Sequence, residues 1–512
     1  MFTSRAGPGV TGRRGAAAVG CALLSLAGAL ALATSSSLAM LDLAQPTIDV
    51  AVARARFVRA PSVTRRRPLL VILVDGLGAD AAAAQPHLAA LVRRGASARL
   101  QAEAPTFSSP QYVAFLTGVG PVDSGVRTNL GIRRSPLDSI MDAVRSKGGH
   151  AAVVGDSVDW WGRLFVWDQA LVVPRARLVD EASRLTADPG NQLVLVHIGG
   201  VDTAGHATGA ASPGYREEAA RAAGQVAALA ALWGERGPLV VLSDHGHMPR
   251  GGHGGSQLAV RRAFFVAVGP GVRPGAHVGL ARASDVAPTL AALLGVGAPT
   301  EAEGRTMVEL LAADAQTVAT LVAADERRVA EVQALMGRGR ETLAARERQG
   351  RFLRGGALLL ALALAAVVVR RLGPPARRGL LLGALAMALA AGAILFVVGG
   401  PSFSAFRSLA NLGVTTAVTG LLAGLAVLAA PLRMTLTGRL APAEAWRFSL
   451  GFVLGASPPA AAAFVVAGIV TPRFSCRPDW LAAGPALAYA AFGSIVIAAA
   501  AVALLAVSYR RA

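Results

Sequence analysis

Between about Pro68 and Ala312, short apolar runs ending in Gly or Asp alternate with helix-like segments rich in Ala, Leu and Arg. That alternation predicts an α/β fold built on a mostly parallel sheet. Strands are expected at 69–74, 151–154, 193–198, 239–242 and 264–268. Each is an unbroken apolar run, the mark of strands buried on both faces. From Val308 to about Arg351 the pattern becomes Ala-rich with Arg and Glu mixed along it, a helical connector. Beyond Arg354 come five long apolar segments, 355–369, 379–398, 409–432, 448–470 and 481–507, which predict an all-α transmembrane domain. A further apolar run, from Gly15 to about Thr34, follows Arg5, Arg13 and Arg14. Its length of about 20 residues suits an uncleaved anchor, with a signal peptide as the other reading. The expected organisation is therefore 1–40 anchor or signal peptide, 41–67 linker, 68–312 globular domain, 313–354 connector and 355–512 membrane domain.

Composition supports the membrane part: 53% of the 512 residues are hydrophobic and the mean hydropathy is +0.50. The net charge of +19 raises the question of nucleic acid. Its arginines, however, stand in pairs beside apolar runs and not in one stripe interleaved with aromatics, so no nucleic-acid partner is expected. The loops with Arg370, Arg371, Arg377 and Arg378, and with Arg433, Arg439 and Arg447, alternate with loops holding Arg407, or Arg473 and Arg477. The positive-inside rule makes the richer loops cytoplasmic and puts the globular domain outside the cytoplasm. The membrane segments carry no charged residue, so anchoring or a groove for a lipid substrate fits them better than an ion pathway. The two cysteines, Cys21 and Cys476, offer neither a CxxC site nor a disulfide framework.

Candidate chemistry gathers just past the predicted strands, where an open α/β sheet exposes its functional loops. Asp75 follows the first strand and precedes Gly76. Asp202 and His206 stand four apart in Val-Asp-Thr-Ala-Gly-His, where Gly205 is expected to let a loop fold tightly around an ion. Asp244 and His245 follow the fourth strand, and His253 lies in Gly-Gly-His-Gly-Gly. Packing gives no reason for adjacent Asp and His after a buried strand. Three carboxylates and three imidazoles form a mixed N and O set that suits a divalent metal, zinc first and manganese next. A hydroxyl nucleophile is available in Thr106, Ser108 or Ser109. Ser109 also reads as a helix N-cap with Pro110 at the first helical position, and a helix start offers free N–H groups to a phosphate.

The segment Pro105-Thr106-Phe107-Ser108-Ser109-Pro110 resembles the nucleophile motif of the alkaline phosphatase superfamily, in its type I phosphodiesterase and nucleotide pyrophosphatase branch. The stretch from Thr117-Gly118 through Ser124-Gly125 to Asn129 is similar to that branch's next motif. The run from His197 to His206, and the short spacing from Asp244-His245-Gly246 to His253, look most like the GPI ethanolamine phosphate transferases. Ser284-Asp285-Val286-Ala287-Pro288-Thr289-Leu290 is similar to the superfamily's closing segment. The resemblance implies an alkaline phosphatase-like sandwich with Ser108 as nucleophile and Asn129 holding a phosphoryl oxygen. It further implies one ion on Asp75, Asp244, His245 and the Ser108 oxygen, and the other on Asp202, His206 and His253. The activity expected is phosphodiester cleavage through a seryl intermediate, on a lipid or glycan, with water or an alcohol as acceptor.

A sulfatase is the alternative within the fold, but Tyr112 stands where its modification motif needs Arg. A mutase is disfavoured by the membrane segments and by the absence of a large insertion between Asn129 and Asp202. A headgroup-binding role without catalysis requires lost ligands, and none is lost. Asp156, Asp159, Trp160, Trp161 and Arg163 are read either as a pocket wall for a cationic headgroup or as ordinary packing. His247, where relatives commonly have Met, is read as a surface residue or as one supporting a ligand.

Overall fold

A computed structural model describes residues 46–383 other than 128, 130, 131 and 158, together with 385, 444, 447, 448 and 451. The predicted N-terminal segment 1–40 and, apart from those positions, the membrane segments from 379 onward lie outside the described residues. Among the described residues no helix is long and apolar enough to cross a membrane. The predicted connector belongs to one 58-residue helix, Ala315–Leu372, that continues through 355–369; most side chains of that last stretch lie outside the described ones.

Eight strands form one sheet: β1 (Leu69–Val74), β2 (Ala96–Gln101), β3 (His150–Gly155), β4 (Gln169–Val172), β5 (Asn191–Ile198), β6 (Leu239–Leu242), β7 (Arg262–Val268) and β8 (His277–Arg282). Their order is β4-β3-β5-β1-β6-β7-β2-β8. Strand β1 shows why the centre lies where it does. All six of its residues are buried. Leu69, Val71 and Leu73 join one apolar cluster, and Leu70, Ile72 and Val74 join the other. The period of two therefore drives burial on both faces, at about 1.5–3 kcal/mol for each fully buried side chain. The helices Ser108–Thr117, Ile140–Arg145 and Val286–Leu294 cover one face, and Pro86–Arg94, Leu178–Ala187 and Pro213–Trp233 cover the other. The result is a helix-sheet-helix sandwich.

The sheet is mixed. Strands β4, β3, β5, β1 and β6 run parallel, but β7 is antiparallel to both β6 and β2. The expectation that 264–268 would be parallel is corrected here, because β7 returns beside β6 after a short excursion with no long crossover. Strands β2, β4 and β8 were not expected from sequence; β4 and β8 are edges with exposed positions and no continuous apolar run. The parallel neighbours β5, β1 and β6 bring their carboxyl ends side by side, which sets Asp75, the segment after Ile198 and Asp244 at one rim of the sheet.

Candidate metal centre

Strand β1 delivers Asp75 directly, with its N–H donating to Ile198 O at 3.0 Å. Gly76 then turns with φ +72°, and a Cβ there would stand 2.8 Å from Asp202 Cα, so the close approach of the two segments requires glycine. Gly76 N donates to Asp244 Oδ1 at 2.9 Å. Tyr215 braces the turn, donating to Gly76 O at 2.7 Å and accepting from Gly78 N at 3.0 Å.

A first cluster forms around His245 Nε2. Ser108 Oγ lies 3.2 Å from it, Asp244 Oδ2 3.3 Å and Asp75 Oδ1 3.5 Å. His245 Nδ1 is 3.2 Å from Gly246 O, so Nδ1 carries the proton and Nε2 presents its lone pair to the two carboxylates. Asp75 Oδ1 and Asp244 Oδ2 are buried and accept no hydrogen bond. Burial holds the His245 imidazole down at about 4, so at neutral pH it is uncharged and does not offset them. Burial, then the charge of Asp75, pushes the Asp244 carboxyl well above its ordinary range. For Asp75 burial acts upward, but the His197 hydrogen bond and the nearby imidazoles outweigh it and hold that carboxyl well below the usual range. Two buried carboxylate oxygens and an imidazole lone pair pointing together lack a positive partner, and a divalent cation supplies one.

A second cluster forms around Asp202 Oδ1. His247 Nε2 is 2.9 Å away, His206 Nε2 3.4 Å and His253 Nε2 3.6 Å. His206 and His253 bring their Nε2 atoms within 3.0 Å of each other. His253 Nδ1 donates to Thr106 O at 2.8 Å, which again turns the Nε2 lone pair toward the carboxylate. Burial, then the charge of Asp75, raises the Asp202 carboxyl; burial, then His245, lowers His253 well below its usual value. The atoms of Asp202, His206, His247 and His253, and those of Asp75, Asp202 and His245, each fall within 4.8 Å of one another. The donor chemistry of both clusters fits a divalent cation.

His247 is 2% exposed, which excludes the surface reading. Its Nε2 holds Asp202 while its Nδ1 has no hydrogen-bond partner, and burial, then His206, takes it down to about 3. Space for its ring is made at Gly205, where a Cβ would meet the ring at 2.3 Å. Residues 200–208 are a helix, Gly200–Thr208, and not the loop expected around an ion. Asp202 and His206 share one helical face, and Gly205 admits His247.

Ser108 begins the helix Ser108–Thr117, whose N-cap is Phe107 in extended conformation without a side-chain cap bond. The expected cap at Ser109 is thus corrected. Asn129 supplies that function from outside the helix, its Oδ1 accepting from Ser109 N at 2.9 Å. The three candidate hydroxyls separate by position. Thr106 Oγ1 donates to Gly255 O at 2.8 Å and accepts from Gly254 N at 3.0 Å, tying the segment to the His253 loop. Ser109 Oγ is buried without a hydrogen-bond partner. Ser108 Oγ is the one that reaches the first cluster.

Behind the clusters stand Tyr112 and His197, both fully buried and both bonded to Asp75. Sequence reasoning assigned neither to this position, since one lies on a helix and the other within a strand, with no common spacing. Trp161 is also buried and stacks on Tyr112, centroids 4.2 Å apart. Asp159 pairs with Arg163 at the surface. Asp156 accepts from Gly199 N at 2.7 Å and faces Arg175. Trp161 is thus core packing, the Asp156 side chain is buried, and Asp159 and Arg163 pair at the surface.

A model of the type I phosphodiesterase / nucleotide pyrophosphatase family matches residues 69–173 and 150–255, a span that contains all six acidic and imidazole candidates, Ser108 and Asn129. Similar solved structures include human ectonucleotide pyrophosphatase / phosphodiesterase 5, at 13% identity over 48% of this chain and 100% of that chain, TM-score 0.40. A protein of the alkaline phosphatase superfamily from Vibrio parahaemolyticus is 17% identical over 52% of this chain and 78% of that one, TM-score 0.40. A 2-O GAG sulfatase is 15% identical over 48% and 74%, TM-score 0.40. No curated protein matches the chain.

Proposed function

We propose that this chain is a two-metal enzyme that cleaves phosphodiesters with Ser108 as nucleophile, on a lipid or glycan substrate outside the cytoplasm. One observation carries the reading. The Nε2 lone pairs of His245 and His253 are both turned, by carbonyls behind Nδ1, toward carboxylates, the buried Asp75 and Asp244 for His245 and the half-buried Asp202 for His253, with Ser108 Oγ 3.2 Å from His245 Nε2.

One cation would be held by Asp75, Asp244, His245 and Ser108 Oγ, the other by Asp202, His206 and His253. Divalent ions bound there supply positive charge that lowers the pKa of the serine hydroxyl and offsets the charge on the phosphoryl group. Ser108 Oγ forms a bond to phosphorus as the bond to the leaving oxygen breaks, and the serine proton is balanced by the one the departing alcohol gains. Oxygen of water or of an acceptor hydroxyl then attacks phosphorus and Ser108 is released. Asn129, with its oxygen committed to Ser109 N, offers its amide N–H to a phosphoryl oxygen, beside the free N–H groups of the helix start. Buried walls at the sheet rim keep bulk water from Ser108, which is 2% exposed.

The Arg bias of the membrane-flanking loops supports a site outside the cytoplasm, and the apolar segments beyond Arg354 support a substrate presented at a bilayer. The test uses the full-length chain loaded with zinc and bis-p-nitrophenyl phosphate. Product release that falls about 10⁴-fold or more in Ser108→Ala is expected; equal rates in the two proteins would refute the reading. Vesicles containing phosphatidylethanolamine then separate headgroup release into water, a hydrolase, from transfer to an added hydroxyl acceptor, a transferase.

A further inference from the structure

We propose that Tyr112 and His197 are positioning residues for Asp75. Together they occupy its Oδ2 and so fix Oδ1 as the oxygen that faces His245 and the cation. The inference rests on the metal reading above and concerns which oxygen of Asp75 is offered.

Asp75 is asymmetric. Its Oδ2 accepts from Tyr112 Oη at 2.6 Å and lies 3.1 Å from His197 Nε2. Its Oδ1 accepts nothing and stands 3.5 Å from His245 Nε2. The Tyr112 hydroxyl has one proton and gives it to Asp75 over a distance typical of charge-assisted bonds. The single His197 Nε2 proton is therefore shared between Tyr112 Oη at 2.9 Å and Asp75 Oδ2 at 3.1 Å. His197 Nδ1 is then the acceptor facing Ser157 Oγ at 3.4 Å. A single arrangement of protons satisfies the chain from Ser157 through His197 and Tyr112 to Asp75.

The surroundings hold that arrangement in place. His197 sits on β5 opposite Leu73 of β1, two residues before Asp75. Tyr112 comes from the helix that Ser108 begins, so the nucleophile and the brace on Asp75 share one rigid element. Trp161 stacks on Tyr112 and meets His197 edge-on at 5.5 Å. Without the two donors the Asp75 carboxylate turns about its last torsion and offers either oxygen. Loss of such supporting bonds typically lowers metal affinity about 10–100-fold.

The experiment is calorimetric titration of the metal-free full-length chain with zinc, alongside turnover measured against zinc concentration. Wild type is expected to show two binding events. Tyr112→Phe, which removes one oxygen and no core volume, is expected to weaken one event about 10–100-fold and leave the other near wild type. Its turnover should fall at limiting zinc and recover at saturating zinc. His197→Phe is expected to behave alike, and His197→Gln, whose amide nitrogen reaches toward the position of Nε2, to recover most of the affinity. Should His197→Phe fail to fold, Tyr112→Phe and His197→Gln carry the test. Wild-type affinity for both ions in Tyr112→Phe overturns the inference while leaving the metal reading intact. Equal weakening of both events, or lost turnover that excess zinc does not restore, overturns it in favour of a general structural role. Two missing events in wild type overturn the metal reading and this inference together.

Discussion

Replacing Asp244 by Asn should make the metal-free protein more stable and the zinc-loaded protein less stable than wild type. Asp244 Oδ2 and Asp75 Oδ1 both lie within 3.5 Å of His245 Nε2, so they are no more than about 7 Å apart. At an effective dielectric of about 20, two unit charges at that separation repel by about 2 kcal/mol. The neutral His245 does not offset this, and neither oxygen has a donor. Asn keeps the acceptor oxygen used by Gly76 N and His245 N and turns an NH₂ group toward the carboxylate of Asp75. The metal-free variant should gain about 2 kcal/mol, a rise in Tm of about 4–8 °C for a domain of this size. The comparison belongs at pH 8, where the raised wild-type carboxyl is least able to take up a proton. With zinc at about a thousand times Kd, each bound ion adds about 4 kcal/mol. Wild type holds two and the variant one, so wild type then leads by about 2 kcal/mol. Scanning calorimetry of both proteins, with chelator and with zinc, reads the reversal. If Asp244→Asn is the less stable protein in both conditions, the carboxylate is a structural group and the reasoning fails.

Three further outcomes follow from the same geometry. Glu303 is raised to about 7 by burial and then by the charges of Asp123 and Glu103. The folded carboxyl thus keeps a proton that the unfolded chain releases near 4.5, and its stabilising contribution is full below that pH and lost as pH rises through about 7. Glu303→Gln, which still accepts from Gly120 N, should match wild type in thermal unfolding at pH 5 and exceed it by up to about 3 kcal/mol at pH 8; identical pH profiles would contradict this. Gly205→Ala places a methyl into the His247 ring, so His247 should leave Asp202 and zinc affinity at that cluster should drop about 10-fold or more, with unchanged affinity as the contrary result in calorimetry. Prolonged chelation should abolish diester cleavage, and added zinc should restore it; turnover that survives chelation would contradict a metal requirement.

The central sheet was legible because β1, β5 and β6 are buried on both faces, which leaves unbroken apolar runs in the sequence. Strands β2, β4 and β8 were not, since a strand with exposed positions mixes Ser, Arg, Gln and His into its pattern and looks like a loop. The ligand candidates stood out for a related reason. Asp75, Asp244 and His245 are polar residues placed directly after buried runs, where packing offers no use for them, and the structure brings them together with Asp202, His206, His253 and Ser108. What the sequence hid is the support behind them. Asn129 caps the nucleophile helix from 20 residues away, so local capping grammar pointed to Ser109 instead. For His247 the surface and ligand-supporting readings stayed open because its partner, Asp202, is 45 positions off. His197 reaches Asp75 through the register of β5 on β1, and Tyr112 reaches it from the helix that Ser108 begins. Gly205 suggested a loop, whereas its missing side chain makes room for a neighbouring ring within a helix.

Covalent substitution of Ser108 is the central step of the proposed reaction. Intact-mass and peptide mass spectrometry of the zinc-loaded, full-length chain, acid-quenched during turnover of a phosphodiester, measures this directly. The expected result is a phosphoryl or substituted phosphoryl group on Ser108, absent after chelation. Turnover without any adduct on Ser108, or an adduct that forms equally well on Thr106 or Ser109, would contradict the assignment.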